Sequence, residues 1–167
     1  MDIPVYSCGL LTWKGRTVRC ALGRDGVTAS KVEGDMKTPL GLMILEEVYY
    51  RPDRVDPPIT ALPLHPLSPS DGWCDDPHDA AYNTKVRLPH TARCESLWRE
   101  DHVYDVLVVL DWNRHPVRPG AGSAIFLHVA RPEYAPTEGC VALALKDLVA
   151  LLNDTRPGDR LRVEEGR

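Results

Sequence analysis

His128 closes the apolar run Gly122-Ser123-Ala124-Ile125-Phe126-Leu127, and Thr137-Glu138-Gly139-Cys140 follows after a short polar stretch. An imidazole at a strand end and a thiol just past a glycine suit acyl transfer. A thiol attacks a carbonyl as the thiolate, and a neighbouring imidazole takes its proton. A strand, a return loop and a Gly-Cys turn suffice to bring the two within reach. Gly139 lets the main chain approach a substrate closely. The N–H groups around Glu138, Gly139 and Cys140 are candidates for an oxyanion hole. Apolar residues at 141, 143, 145, 148, 149, 151 and 152 predict a helix over 141–153 that begins directly after Cys140. Its positive end would favour a thiolate. Taken singly, a Cys and a His are more often structural than catalytic, so the rest of the chain has to agree.

Strands are expected to position this pair. Thr12-Trp13 and Thr17–Leu22 flank a Lys14-Gly15-Arg16 turn, a hairpin signal, and Gly23-Arg24-Asp25-Gly26 makes a second turn. Gly41–Tyr50 reads as a strand whose first part is equally compatible with a short helix. Tyr104–Asp111 is almost continuously apolar, as a strand buried on both faces should be. Ala124–Val129 is a further buried strand, and Arg160–Val163 a last one after the Asp154–Asp159 turn. Residues 51–90 are broken by Pro57, Pro58, Pro63, Pro66, Pro69, Pro77 and Pro89. They are expected to form one long loop, either a wall or lid of the site or a surface insertion.

Composition narrows the function. The 167 residues suit one domain spanning 1–167, with a net charge of −4 and no basic face that argues for nucleic acid. No window has the length of a membrane span. The N-terminus, Met1-Asp2-Ile3-Pro4-Val5, lacks the features of a secretory leader. The expected location is therefore the cytoplasm, or the periplasm if a leader has been trimmed away. Five cysteines, Cys8, Cys20, Cys74, Cys94 and Cys140, show no CxxC pair, and the six histidines show no ligand spacing. No metal and no cofactor is assigned, and free thiols are the default in a reducing compartment.

The segment His128…Thr137-Glu138-Gly139-Cys140, with Gly34-Asp35-Met36-Lys37-Thr38-Pro39-Leu40-Gly41 upstream, resembles the catalytic domain of the L,D-transpeptidases, the YkuD-like family of cysteine enzymes. That family carries a His at a strand end, a loop, then Ser/Thr-His-Gly-Cys, and an upstream Gly-x-x-x-Thr-Pro-x-Gly. The resemblance runs from about Lys31 to Leu145. Trp73-Cys74-Asp75-Asp76 and Tyr82-Asn83 are similar to a substrate-side segment of one bacterial subgroup. Three departures stand out: Glu138 replaces the family's second His, Ala142 replaces an Asn, and only eight residues separate His128 from Thr137. Glu138 beside a thiol opposes thiolate formation, so it is expected to point away or to meet a cation.

The resemblance implies a mainly β fold, an antiparallel β-sandwich or half-open barrel with one helix after Cys140 and a short one near residues 91–99. It implies a peptidoglycan tetrapeptide or muropeptide substrate, attack by Cys140, and leaving of the terminal D-Ala with a proton from His128. Water as acceptor gives L,D-carboxypeptidation, as in muropeptide recycling; an amine gives an L,D cross-link. The cytoplasmic expectation tilts the choice slightly to hydrolysis. A decayed muropeptide-binding module stays open, and carbapenems are possible covalent inhibitors. A papain-like protease is a weaker reading, because there the Cys precedes the His.

Four more residues are candidates for substrate binding. Arg131 suits a terminal carboxylate but is also an ordinary surface arginine. Tyr134 either walls the pocket or covers its own loop. Trp73 and Tyr82 either line the peptide groove or staple the long loop to the body, with the groove slightly favoured.

Overall fold

The computed structural model describes residues 1–166. Strands dominate: β1 (Asp2–Tyr6), β2 (Leu10–Trp13), β3 (Arg16–Ala21), β4 (Val27–Thr28), β5 (Thr38–Pro39), β6 (Gly41–Tyr50), β7 (Leu64–Pro66), β8 (Asp71–Cys74), β9 (Lys85–Arg87), β10 (Cys94–Ser96), β11 (Val106–Leu110), β12 (Phe126–Val129), β13 (Val141–Leu143) and β14 (Arg160–Glu164). Among the described residues one α-helix, α1 (Leu145–Asp154), lies between β13 and β14, and a short 3-10 turn, Pro132–Tyr134, follows β12. The main sheet runs β11-β12-β13-β3-β2-β1-β14-β6, and β6 pairs back onto β11, which closes a barrel; β7 adds beside β6. The mainly β expectation holds, with two refinements. The barrel is closed, and three of its ladders (β1–β14, β12–β13 and β6–β7) are parallel.

Local chemistry explains the elements. Lys14 and Gly15 join β2 to β3 with φ of 44° and 75°, the positive values that a two-residue hairpin turn matching strand twist requires. β11 alternates between two cores. Val106, Val108 and Leu110 join Leu127 and Val129 in the main one. Leu107 and Val109 join Phe126, Trp73, Tyr104 and Cys140 in a second. Burial on both faces is why this segment reads as an unbroken apolar run.

Three expectations are corrected. The helix does not start after Cys140: β13 intervenes, buried between β12 and β3, and α1 begins at Leu145, sending Leu148, Leu151 and Leu152 into the main core. A short apolar run looks alike as strand or helix, and only its neighbours decide. Residues 51–90 are not one structureless loop. They contain β7, β8 and β9, and β8 is the centre of a small sheet in the order β10-β8-β9. The stretch 91–99 carries β10, not a helix. Strands this short leave little periodic signal, and their pairing is long-range.

Candidate active site

β12 and β13 lie side by side in parallel, with His128 opposite Ala142. Side chains alternate along a strand, so Cys140, immediately before β13, faces the same side of the sheet as His128. Both line one cleft of about 200 Å³ between the barrel wall and the small sheet. The Phe126 N–H donates to Cys140 Sγ at 3.4 Å, and the thiol donates to the Ala124 carbonyl at 3.2 Å. His128 Nδ1 lies 2.9 Å from the Val129 carbonyl. A carbonyl only accepts, so Nδ1 carries the hydrogen and Nε2 keeps a free lone pair. The backbone therefore orients the imidazole as a base. Tyr104 meets the His128 ring edge-on at 5.4 Å and donates its hydroxyl to Glu95 at 3.0 Å.

The resting pair is neutral. Burial pushes the Cys140 thiol up to about 12, with Glu95 and Glu138 adding to it, while the Phe126 N–H and the Lys31 ammonium pull the other way. Burial brings His128 down to about 4. The expected thiolate is thus not the ground state. The helix end that would favour it is absent, and the thiol already has a carbonyl to donate to.

Thr137 and Thr38 brace the nucleophile from below. Thr137 Oγ1 donates to the Cys140 carbonyl at 2.7 Å and accepts from the Gly139 N–H at 3.1 Å. Thr38, fully buried, accepts from the Gly23 N–H at 2.8 Å and reaches the Cys140 carbonyl at 3.5 Å. Both upstream and downstream motifs thus meet on one peptide group. The Gly139 N–H is consequently engaged and is not a free oxyanion donor. Gly139 has a φ of +138°, and a Cβ there would stand 2.9 Å from the Lys37 carbonyl. The close approach it permits is to this chain's own backbone.

The other anticipated residues divide. Glu138 is exposed at the cleft rim and makes no ion pair among the described residues. Arg131 also lines the cleft, 3.9 Å from Asp101, which in turn holds Arg99 through two bonds. Trp73 and Tyr82 are buried instead of lining a groove. Trp73 donates to Asn83 at 3.0 Å and packs edge-on against Phe126, while Tyr82 donates to Glu33. Tyr134 does not wall the pocket; its ring lies under the Arg19 guanidinium. Trp73 has an aromatic neighbour, Tyr134 a cationic one and Tyr82 a carboxylate partner, and sequence spacing reveals none of them.

Three residues of the cleft escaped the sequence reading. Lys31 is buried against Gly122 and Gly139 and bonds Asp35 at 2.5 Å. Glu95 is raised to about 7, chiefly by burial. Tyr104, buried above His128, is raised well beyond its ordinary value. Lys31 begins the segment that carries the Thr38 motif, which was the available hint; Glu95 sits on a three-residue strand that offered none.

The model of the L,D-transpeptidase catalytic domain, YkuD, matches residues 6–163. No curated protein matches the chain. Among solved structures, it is similar to the helical cell shape determining protein Pgp2 from Campylobacter jejuni, at 13% identity and a TM-score of 0.48, over 99% of this chain and 48% of that one. A point mutant of the same protein matches at 14% identity and a TM-score of 0.48, over 99% and 47%. The chain spans about half the length of these structures.

Proposed function

The chain belongs to the L,D-transpeptidase catalytic-domain family, and we propose that it is a cysteine acyl-enzyme acting on peptidoglycan stem peptides. One observation carries this reading: Cys140 and His128 share a cleft, and His128 Nε2 is left unprotonated by the Nδ1 bond to Val129. In the proposed cycle His128 removes the Cys140 proton as the sulfur attacks the carbonyl of the L-centre residue that precedes the terminal D-Ala. The imidazolium passes that proton to the departing D-Ala amine. A thioester remains on Cys140. Attack by water, with His128 again as base, releases the shortened stem. With the Gly139 N–H engaged, the Cys140 N–H is the donor assigned to the oxyanion.

Water is the proposed acceptor, making the enzyme an L,D-carboxypeptidase. What supports it is the size of the cleft. About 200 Å³ is small beside pockets that enclose a drug-sized ligand, and a transpeptidase has to admit a second peptide. Arg131 at the rim is assigned to the substrate's terminal carboxylate, and the same thiol is the proposed target of carbapenems. The test is mass spectrometry of a tetrapeptide incubated with the protein. Loss of one D-Ala without a dimer is expected. A cross-linked dimer would identify a transpeptidase instead.

A second reading is favoured by the raised thiol: a muropeptide-binding module without turnover. It requires binding of the tetrapeptide with no D-Ala released at any pH, and no adduct with a carbapenem.

A further inference from the structure

The small sheet that walls the cleft holds a second cluster of thiol and imidazole groups, remote in sequence from the first. Cys74 ends β8 and Cys94 begins β10, and the two are direct partners in an antiparallel ladder. His90 arrives from the turn that precedes β10. The two sulfurs and a ring nitrogen of His90 all lie within 4.8 Å of one another. Asp79 approaches from the loop after β8, its Oδ1 3.3 Å from His90 Nε2 and 3.9 Å from Cys74 Sγ. The Ala81 N–H fixes that same oxygen at 2.8 Å. Cys74 is buried, and His90 and Cys94 are half-buried.

We propose that Cys74, Cys94 and His90 form a structural zinc site, with Asp79 the oxygen donor for the fourth position. Zinc takes four ligands tetrahedrally from Cys sulfur, His nitrogen and carboxylate oxygen, at about 2.0–2.3 Å. Ligand atoms in such a site stand roughly 3.3–3.8 Å apart, close to the two Asp79 distances. Borderline-soft sulfur and imidazole in one cluster select zinc over magnesium or calcium. On binding, each thiol releases its proton to solvent, giving two thiolates against one divalent ion. A disulfide is the other chemistry open to two facing cysteines, but it needs no imidazole, and here an imidazole joins the pair and a carboxylate stands beside Cys74 and His90.

The site has a consequence for the cleft. Asp75 and Glu95, the residues immediately after Cys74 and Cys94, both line it. A metal that staples β8 to β10 holds that wall in place. The sheet is made of strands of three or four residues, too short to be held firmly by their ladder alone. This inference is independent of the reaction assigned to Cys140.

The experiment uses the whole chain, fully reduced and kept anaerobic, titrated with cobalt(II) chloride and then zinc chloride. One equivalent of cobalt is expected, with a thiolate-to-metal charge-transfer band that zinc abolishes. Native mass spectrometry should record one zinc per chain, and melting temperature should rise on loading. C94S and H90A should lose the band and the bound ion, while C8S and C140S keep both. H90Q serves as the milder variant if H90A fails to fold. Absence of metal uptake by the reduced parent overturns the proposal, as does equal uptake by C94S. So does a Cys74–Cys94 disulfide in a protein whose reduced form binds no zinc.

Discussion

His128 stands opposite Ala142 in the parallel register of β12 and β13, and this places the Cys140 sulfur on the imidazole's side of the sheet. A register slip of one residue would send the imidazole into the main core beside Leu127 and Val129. The shared side of the two side chains is therefore a property of that ladder as much as of the residues themselves.

Both members of the pair should be indispensable for D-Ala release. We expect C140A to remove turnover completely and H128A to lower it by about 10²–10⁴-fold, the usual span for a general base. Circular dichroism and melting of both variants should stay close to the parent. Substantial turnover by C140A would end the assignment.

Alkylation of Cys140 should report a thiol held protonated by its surroundings. Its rate midpoint is expected above that of a free cysteine, about 8.5, because burial raises the group to about 12. The N–H of Phe126 and the Lys31 ammonium oppose that rise, so K31M should move the midpoint higher still. A midpoint well below the free-thiol value would contradict the neutral resting pair.

The pH dependence of stability should show two opposed slopes. His128 falls from 6.5 to about 4, so the unfolded chain binds the extra proton between those values, and stability drops as pH falls through them. Glu95 rises from 4.5 to about 7. The folded chain then binds the extra proton, so its contribution is present below 4.5 and is lost as pH rises toward 7. The displacements are similar in size and nearly cancel between about pH 4.5 and 6.5. Urea midpoints should be flat there for the parent, rise with pH for E95Q and fall with pH for H128Q. Parallel profiles in all three proteins would refute the account.

Gly139→Ala should cost about 1–3 kcal/mol, the range for a non-glycine residue in a strained backbone region. The φ of +138° and the Lys37 carbonyl 2.9 Å from the new Cβ act together. Activity should fall with it, since the Cys140 peptide moves. Equilibrium unfolding in urea measures the first effect and D-Ala release the second.

Thr38→Val should leave the Gly23 N–H buried without its acceptor, a loss of about 1–3 kcal/mol. Thr38→Ser keeps the oxygen and should recover most of it. Equal losses for the two variants would place the effect in packing instead.

The hairpin at Lys14-Gly15, the doubly buried β11, and the β12 strand that carries His128 were legible in the sequence because each rests on local chemistry. Turn dihedrals, apolar runs and short-range spacing do not need a partner to be read. That His128 and Cys140 would face one cleft was expected from two motifs in order, and both do line it. The small sheet was not, because β8, β9 and β10 are too short to show a period and are tied by long-range ladders. For Trp73 and Tyr82 burial fits the alternative of stapling the stretch to the body over the slightly favoured groove, for the same reason: an aromatic in a proline-rich stretch reads alike whether it lines a groove or is buried.

By itself the chain of residues determined which atoms are available for chemistry, a nucleophilic sulfur, an imidazole and a glycine that lets the backbone close in. Folding decided the state they rest in. β13 took the place of the expected helix end, burial neutralised both the thiol and the imidazole, and Thr137 occupied the Gly139 N–H. Desolvation and hydrogen-bond competition depend on what packs around a group in three dimensions, and that information lies in distant segments whose meeting no local pattern encodes.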